Sequence, residues 1–232
     1  MRAVLTALTL ALSGGTIPVS ADPSPVVVEL YTSQGCSSCP PADAMLLDLA
    51  EREDVIALAL HVDYWDYIGW ADSFADPAYT QRQKAYAQAA GHATIYTPQM
   101  VVAGHTHVVG AKPMELSDAI RTHAAADHGI ALDLARQGGG LRLILEREGA
   151  PVGPAQVQLV RYDPRQVVDI RRGENAGRQL TYGNIVTDWQ VVADWSGDSD
   201  LTLDLPLPGD DRAVVIVQRA GHGAILAAGE VR

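Results

Sequence analysis

The sequence predicts an α/β layer structure over residues 22–128, followed by an all-β, sandwich-like domain over residues 129–232. Two observations carry this. The first half alternates short, continuously apolar runs with stretches of helical spacing, in the order β-α-β-α-β-β-α. After about His128 the helical spacing stops, and short strand-like runs succeed one another with turn residues between them. With 232 residues, 47% of them hydrophobic and 19% charged, the chain is long enough for one large domain or two small ones.

The elements follow in order. Arg2, the apolar run Ala3–Leu12 and the small residues Val19-Ser20-Ala21 form an n-region, an h-region and a cleavage site, so residues 1–21 read as a signal peptide cut after Ala21. The run is shorter than the roughly 20 residues that span a bilayer, and no cysteine follows it for lipid anchoring. A periplasmic or secreted protein without a membrane anchor is expected. Val26–Tyr31 is a strand buried on both faces. Ala42–Glu53 carries Met45, Leu46, Leu49 and Ala50 at helical spacing, and Val55–Val62 is a second buried strand. Asp72–Ala90 reads as a helical insertion. Gln99–Ala103 and His107–Val109 form a hairpin about Gly104-His105, and Pro113–Ala126 is a helix.

In the second half, strand-like runs cover Ile130–Ala135, Leu141–Glu146, Ala155–Tyr162, Gln166–Ile170, Gln190–Trp195, Asp200–Leu205, Ala213–Arg219 and Gly223–Ala228. Turn signals separate them, among them Gly138-Gly139-Gly140, Asp163-Pro164 and Ser196-Gly197-Asp198. Gly173–Asp188 reads as a long connection with no assigned element.

Acidic residues outnumber basic ones 28 to 17, for a formal charge of −11. The absence of a Lys/Arg surplus argues against a nucleic-acid partner, whose phosphates need a basic footprint. The scattered acids read as solubility. No G-x-S-x-G elbow, phosphate loop or dinucleotide fingerprint is present, and no cofactor or metal is expected.

The two cysteines stand three apart, as Cys36-Ser37-Ser38-Cys39, between the first buried strand and the first helix. A disulfide closing so short a loop contributes only about 2 kcal/mol of chain entropy, so a purely structural staple is a weak use of it. Thiol exchange suits the spacing, because both sulfurs share one turn. A helix opening at the cysteines favours the Cys36 thiolate as attacking group, and Cys39 is placed to resolve the mixed disulfide. Ser37 and Ser38 are candidate hydrogen-bond donors to a thiolate or ordinary loop residues. Thr97-Pro98 is a candidate substrate-holding element if cis; a trans proline opening an edge strand is the other reading. Asp63, Tyr64, Trp65, Asp66 and Trp70 follow the second strand, at the end of an α/β sheet where ligands sit. Trp65 could wall the site and Asp63 could carry a proton, or the segment could be a structural loop. His61 reads as a core histidine, and His105 and His107 as turn residues rather than metal ligands.

Glu29–Asp43, His61–Asp66 and Tyr96–Gln99, with Val109-Gly110-Ala111 before the last helix, resemble the thioredoxin fold. More closely, they resemble a family of secreted, thioredoxin-like bacterial proteins of unassigned function whose motif is C-S-S-C-P-P. The resemblance covers about residues 25–128 and continues through Leu180–Val186. It implies thiol–disulfide oxidoreductase chemistry at Cys36 and Cys39 with a protein thiol or disulfide as partner, and substrate contact at Thr97, Pro98, Gly35, Ser37, Ser38 and Trp65. Gly35 stands where thioredoxins usually carry Trp, so an aromatic platform must come from elsewhere. Pro40 removes an N–H from the first helical turn. The competing classes are a copper-delivery protein using the two thiolates, a non-catalytic binding module with an inert pair, and a peroxidase, which lacks a nearby activating Arg.

Overall fold

The computed structural model describes residues 24–209 and 212–231; the signal-peptide reading of residues 1–21 lies outside them. The chain is a mixed α/β fold with one large mixed sheet and one small sheet. In order the elements are β1 (Val26–Thr32), α1 (Pro40–Ala50), β2 (Val55–His61), α2 (Pro77–Ala89), β3 (Gln99–Val102), β4 (Thr106–Val109) and α3 (Pro113–Ala124). Then come β5 (Ile130–Gln137), β6 (Gly140–Arg147), β7 (Ala155–Asp169), β8 (Gln179–Trp195), β9 (Leu201–Pro206), β10 (Arg212–Arg219) and β11 (Ile225–Val231).

The large sheet has the order β11-β10-β7-β8-β2-β1-β3-β4, and the small one β5-β6-β9. β1 and β2 run parallel in the centre, β8 joins β2 in parallel through Ala59 and Ile185, and β3 pairs antiparallel with β1. Side-chain alternation splits the apolar strand residues between two faces. Val28, Leu30, Ala57 and Ala59 pack under α1 and α3 with Leu46, Leu49, Leu116 and Ile120. Val27, Tyr31, Ile56, Leu58 and Leu60 pack against Tyr79 and Tyr86 of α2 and against Val160, Val214 and Ile216. The small sheet lays Leu141, Leu143 and Leu145 over Val157, Leu159, Val215 and Val217.

Two helix starts differ from the sequence reading by a few residues, for a shared reason. α1 begins at Pro40 and α2 at Pro77, where the missing N–H of proline is one the first turn leaves unused. At α2, Asp76 caps by accepting from the Ala78 N–H (2.7 Å). Among the described residues from 130 onward the regular elements are all strands, but four of these strands extend the sheet of the first half instead of closing a sandwich of their own. The turn expected at Asp163-Pro164 is not there. β7 runs through both residues, and the unassigned stretch after Gly173 becomes a short connection plus the start of β8.

Candidate functional site

Strand register gathers the site. Thr32 at the end of β1 faces His61 at the end of β2, and Tyr31 faces Gln99 at the start of β3. The segments after β1, after β2 and before β3 therefore emerge at one edge of the sheet. The turn carrying His105 closes β3 onto β4 at the other end.

Cys36 and Cys39 form a disulfide at that edge. A tight turn holds them: the Cys36 N–H donates to Ser33 O (3.1 Å) and the Cys39 N–H to Cys36 O (3.2 Å). Cys39 caps α1, its carbonyl accepting from Ala42 (2.8 Å) and Asp43 (3.0 Å). Both cysteines are 0% exposed, whereas Ser37 and Ser38 are open to solvent. Ser38 Oγ lies 3.7 Å from Cys36 Sγ. The helix dipole is thus centred one turn later than a helix opening at Cys36 would put it.

The place a larger residue would fill at position 35 is taken by Trp65. A Cβ on Gly35 would come within 3.2 Å of Trp65 Cβ and 3.3 Å of Ile68 Cδ1. Trp65 in turn donates from Nε1 to Thr97 Oγ1 (2.7 Å). The Thr97–Pro98 bond is cis, and Pro98 O accepts from the Gly110 N–H (3.0 Å). Gly35, the cysteines, Trp65, Thr97 and Pro98 therefore share one edge. Asp63 faces elsewhere: it accepts from the Thr80 hydroxyl of α2.

A buried polar cluster that the sequence reading did not single out joins the first turn of α1 to the ends of β1 and β2. Asp43, in the first turn of α1, accepts from Thr32 Oγ1 (2.6 Å). Burial raises its pKa to about 7, outweighing the Thr32 hydrogen bond and the nearby His61, which favour the charged form. His61 Nδ1 pairs with Asp72 Oδ2 (2.7 Å), which also accepts from the Gln34 N–H (2.8 Å). The His61 ring stands edge-on to Phe74 and Tyr182, at 5.2 and 4.9 Å between centroids. Burial, with Asp43 and Asp72 adding to it, raises the Tyr182 phenol. Asp43 Oδ2, His61 Nε2 and Tyr182 Oη are buried without a hydrogen-bond partner. One signal for Asp43 was present: it shares the Leu46 and Ala50 face of α1, a carboxylate in an apolar stripe.

The second half reaches the same edge. Asn175, between β7 and β8, is 1% exposed and donates from Nδ2 to Gln34 O and Cys36 O, both at 3.0 Å. Among the described residues no group of three or more His, Cys, Asp or Glu is placed to hold a metal ion, and no helix is long and apolar enough to cross a membrane.

Fold and site together define a mixed α/β protein with a buried C-x-x-C disulfide at the carboxyl ends of two central parallel strands. The family model described as a protein of unknown function (DUF1223) matches residues 27–218, and the chain belongs to that family. An X-ray structure of a protein from Agrobacterium tumefaciens is similar at 33% identity and a TM-score of 0.76, over 89% of this chain and 93% of that one. HBP35 of Porphyromonas gingivalis shares the fold at 16% identity and a TM-score of 0.63, over 90% of this chain and 74% of that one. No curated protein matches the chain.

Proposed function

We propose that the chain is a thioredoxin-like thiol–disulfide exchange protein acting on protein thiols in a periplasmic or secreted setting. The observation that carries the reading is the joint placement of the Cys36–Cys39 disulfide at the head of α1 and of cis Thr97–Pro98 at the same sheet edge. The setting follows from the n-region, apolar run and small-residue site at residues 1–21.

In the exchange, a thiolate of the partner protein attacks Cys36 Sγ. The Cys36–Cys39 bond breaks, a mixed disulfide forms, and Cys39 leaves with the electron pair as a thiolate that takes up one proton. A second partner thiolate then attacks the mixed disulfide, releasing the Cys36 thiolate and an oxidised partner. The reverse sequence starts from the dithiol and a partner disulfide. Asp43, in the first turn of the helix that Cys39 caps, is the candidate for the proton step, since a carboxyl whose pKa burial raises to about 7 can give or take a proton at neutral pH. Trp65 supplies the aromatic wall beside Gly35.

Burial of both sulfurs favours one competing reading, an inert structural pair. Titration in glutathione buffers with thiol trapping separates the two, run beside Cys36→Ser and Cys39→Ser. A reversible two-electron couple in the folded protein, with mixed disulfides accumulating in Cys39→Ser alone, is the expected result. A disulfide that resists reduction until the protein unfolds overturns the proposal.

A further inference from the structure

A disulfide with no accessible sulfur cannot meet an attacking thiolate, which must approach Sγ in line with the S–S bond. The β7–β8 connection is bonded directly to the turn that carries the two cysteines. That segment closes on itself, the Gly177 N–H donating to Ile170 O (2.8 Å) and the Ile170 N–H to Arg178 O (2.9 Å). At its tip the amide of Asn175 spends its donors on the carbonyls of Gln34 and Cys36, and its Oδ1 accepts from the Arg178 guanidinium (3.0 Å). Glu174 accepts from the Ser37 N–H (3.3 Å). Gly173 lies against Trp70, where a Cβ would come within 3.3 Å of Trp70 Cβ, and Trp70 donates to Gln34 Oε1 (2.8 Å).

The attachments differ in kind. Residues 33–39 are tied by main-chain turns and run into α1, and the 66–74 loop is anchored by the buried Asp72–His61 pair. The hydrogen bonds from the β7–β8 connection to the cysteine turn come from the side chains of Asn175 and Glu174. The base of the connection is fixed, since Ile170 is buried with Leu180, Tyr182, Trp70 and Phe74; the tip, 171–177, is the part that can lift without unfolding the sheet.

We infer that residues 171–177 form a strap laid by the C-terminal half over the cysteine turn, with Asn175 as the positioning residue that holds it shut. This rests on the thiol-exchange reading and adds to it a gate: exchange runs through a local opening in which Asn175 releases the carbonyls of Gln34 and Cys36. The gate selects partners able to displace the strap.

The test compares reduction rates of the folded, oxidised protein by dithiothreitol and by a thiol carried on a polyethylene glycol of several kilodaltons. Wild type, Asn175→Ala and Asn175→Asp are measured across low urea; the Asp variant keeps the shape and removes the donors. Both variants are expected to react about tenfold faster or more with dithiothreitol, the scale of two lost hydrogen bonds. The polymer thiol is expected to gain more, and the rates to stay flat with urea below the unfolding transition. Unchanged rates in both variants, in a protein whose disulfide is reducible while folded, overturn the strap and leave thiol exchange standing. Rates that rise only in step with global unfolding give Asn175 a merely structural role and overturn the strap as well. If no variant is reduced while folded, the thiol-exchange reading falls and the strap falls with it.

Discussion

Burial and the Thr32 hydroxyl pull the Asp43 carboxyl in opposite directions, and burial wins, setting its pKa near 7. The folded protein therefore keeps a proton on Asp43 between about pH 4 and 7, where the unfolded chain has released it. Stability linked to this group is fully present below pH 4, falls as pH rises through that window and is gone above 7. The span of three units corresponds to roughly 4 kcal/mol. His107, His123, His128 and His222, whose pKa values burial lowers, act in the opposite sense below about pH 6.5, so the comparison must be internal. In Asp43→Asn the amide oxygen still accepts from Thr32 and nothing titrates. Urea midpoints measured from pH 4 to 8 are expected to fall toward high pH in wild type relative to Asp43→Asn, with the variant the more stable at pH 8. Parallel profiles would show that Asp43 is ionised throughout. The C-x-x-C spacing and the Thr97-Pro98 step can be read along the chain, and the structure places both at one sheet edge. For Asp43 the sequence shows only its place in an apolar stripe; the polar groups around it, Thr32, His61 and Tyr182, come from elsewhere in the chain, the last well over a hundred residues away.

Between residue and molecule, the β7–β8 pair shows why a proline-marked turn failed to appear. Pro164 has no N–H for a ladder, and the paired register steps from Asp163↔Ile185 to Arg165↔Gly183, passing over Pro164 and Asn184. Asn184 sits at φ 46° and turns its amide away to donate from Nδ2 to Ala57 O (2.9 Å), so the irregularity in one strand pair stitches β8 to β2. Turn chemistry was thus present in the sequence, but a neighbouring strand absorbed it. Strands buried on both faces, such as β1 and β2, were legible from their continuous apolar runs; which strand lies beside them left no local trace. Asn184→Ala removes the bond to a buried carbonyl and places a Cβ residue in the left-handed region, and is expected to lower stability by about 2–3 kcal/mol. Asn184→Gly removes the same bond without the backbone penalty and should lose only about 1 kcal/mol. Urea denaturation checks the order, and an Ala variant as stable as the Gly variant would contradict it.

At the scale of the whole molecule, the change of composition near His128 marks where helices end, yet the sheet crosses it, and so does a buried charge cluster. Glu29 on β1 is fully buried and takes two bonds from Arg82 of α2 (2.7 and 2.9 Å) and one from Tyr86 Oη (2.6 Å). Arg82 also donates to Gln218 of β10 (3.1 Å) and stacks 3.8 Å from the Trp189 ring of β8. Gln218 closes the loop by donating to Tyr86 Oη (2.8 Å). The second half meets the first again at Asn175, on the connection between β7 and β8, which lies at hydrogen-bond distance from the cysteine turn. Breaking one partner of such a pair strands the other as a buried charge, so Arg82→Leu is expected to lower stability by about 3–5 kcal/mol. Adding Glu29→Gln should restore much of that loss, since the stranded charge is then gone. Because the cluster and the shared sheet bind both halves, unfolding is expected in one step. Tryptophan fluorescence samples Trp65 and Trp70 in one half and Trp189 and Trp195 in the other, and should trace the same urea transition as far-ultraviolet circular dichroism. Two separated transitions, with Arg82→Leu shifting only one of them, would mean that the halves fold as independent units and that the cluster is a contact between them rather than part of one core.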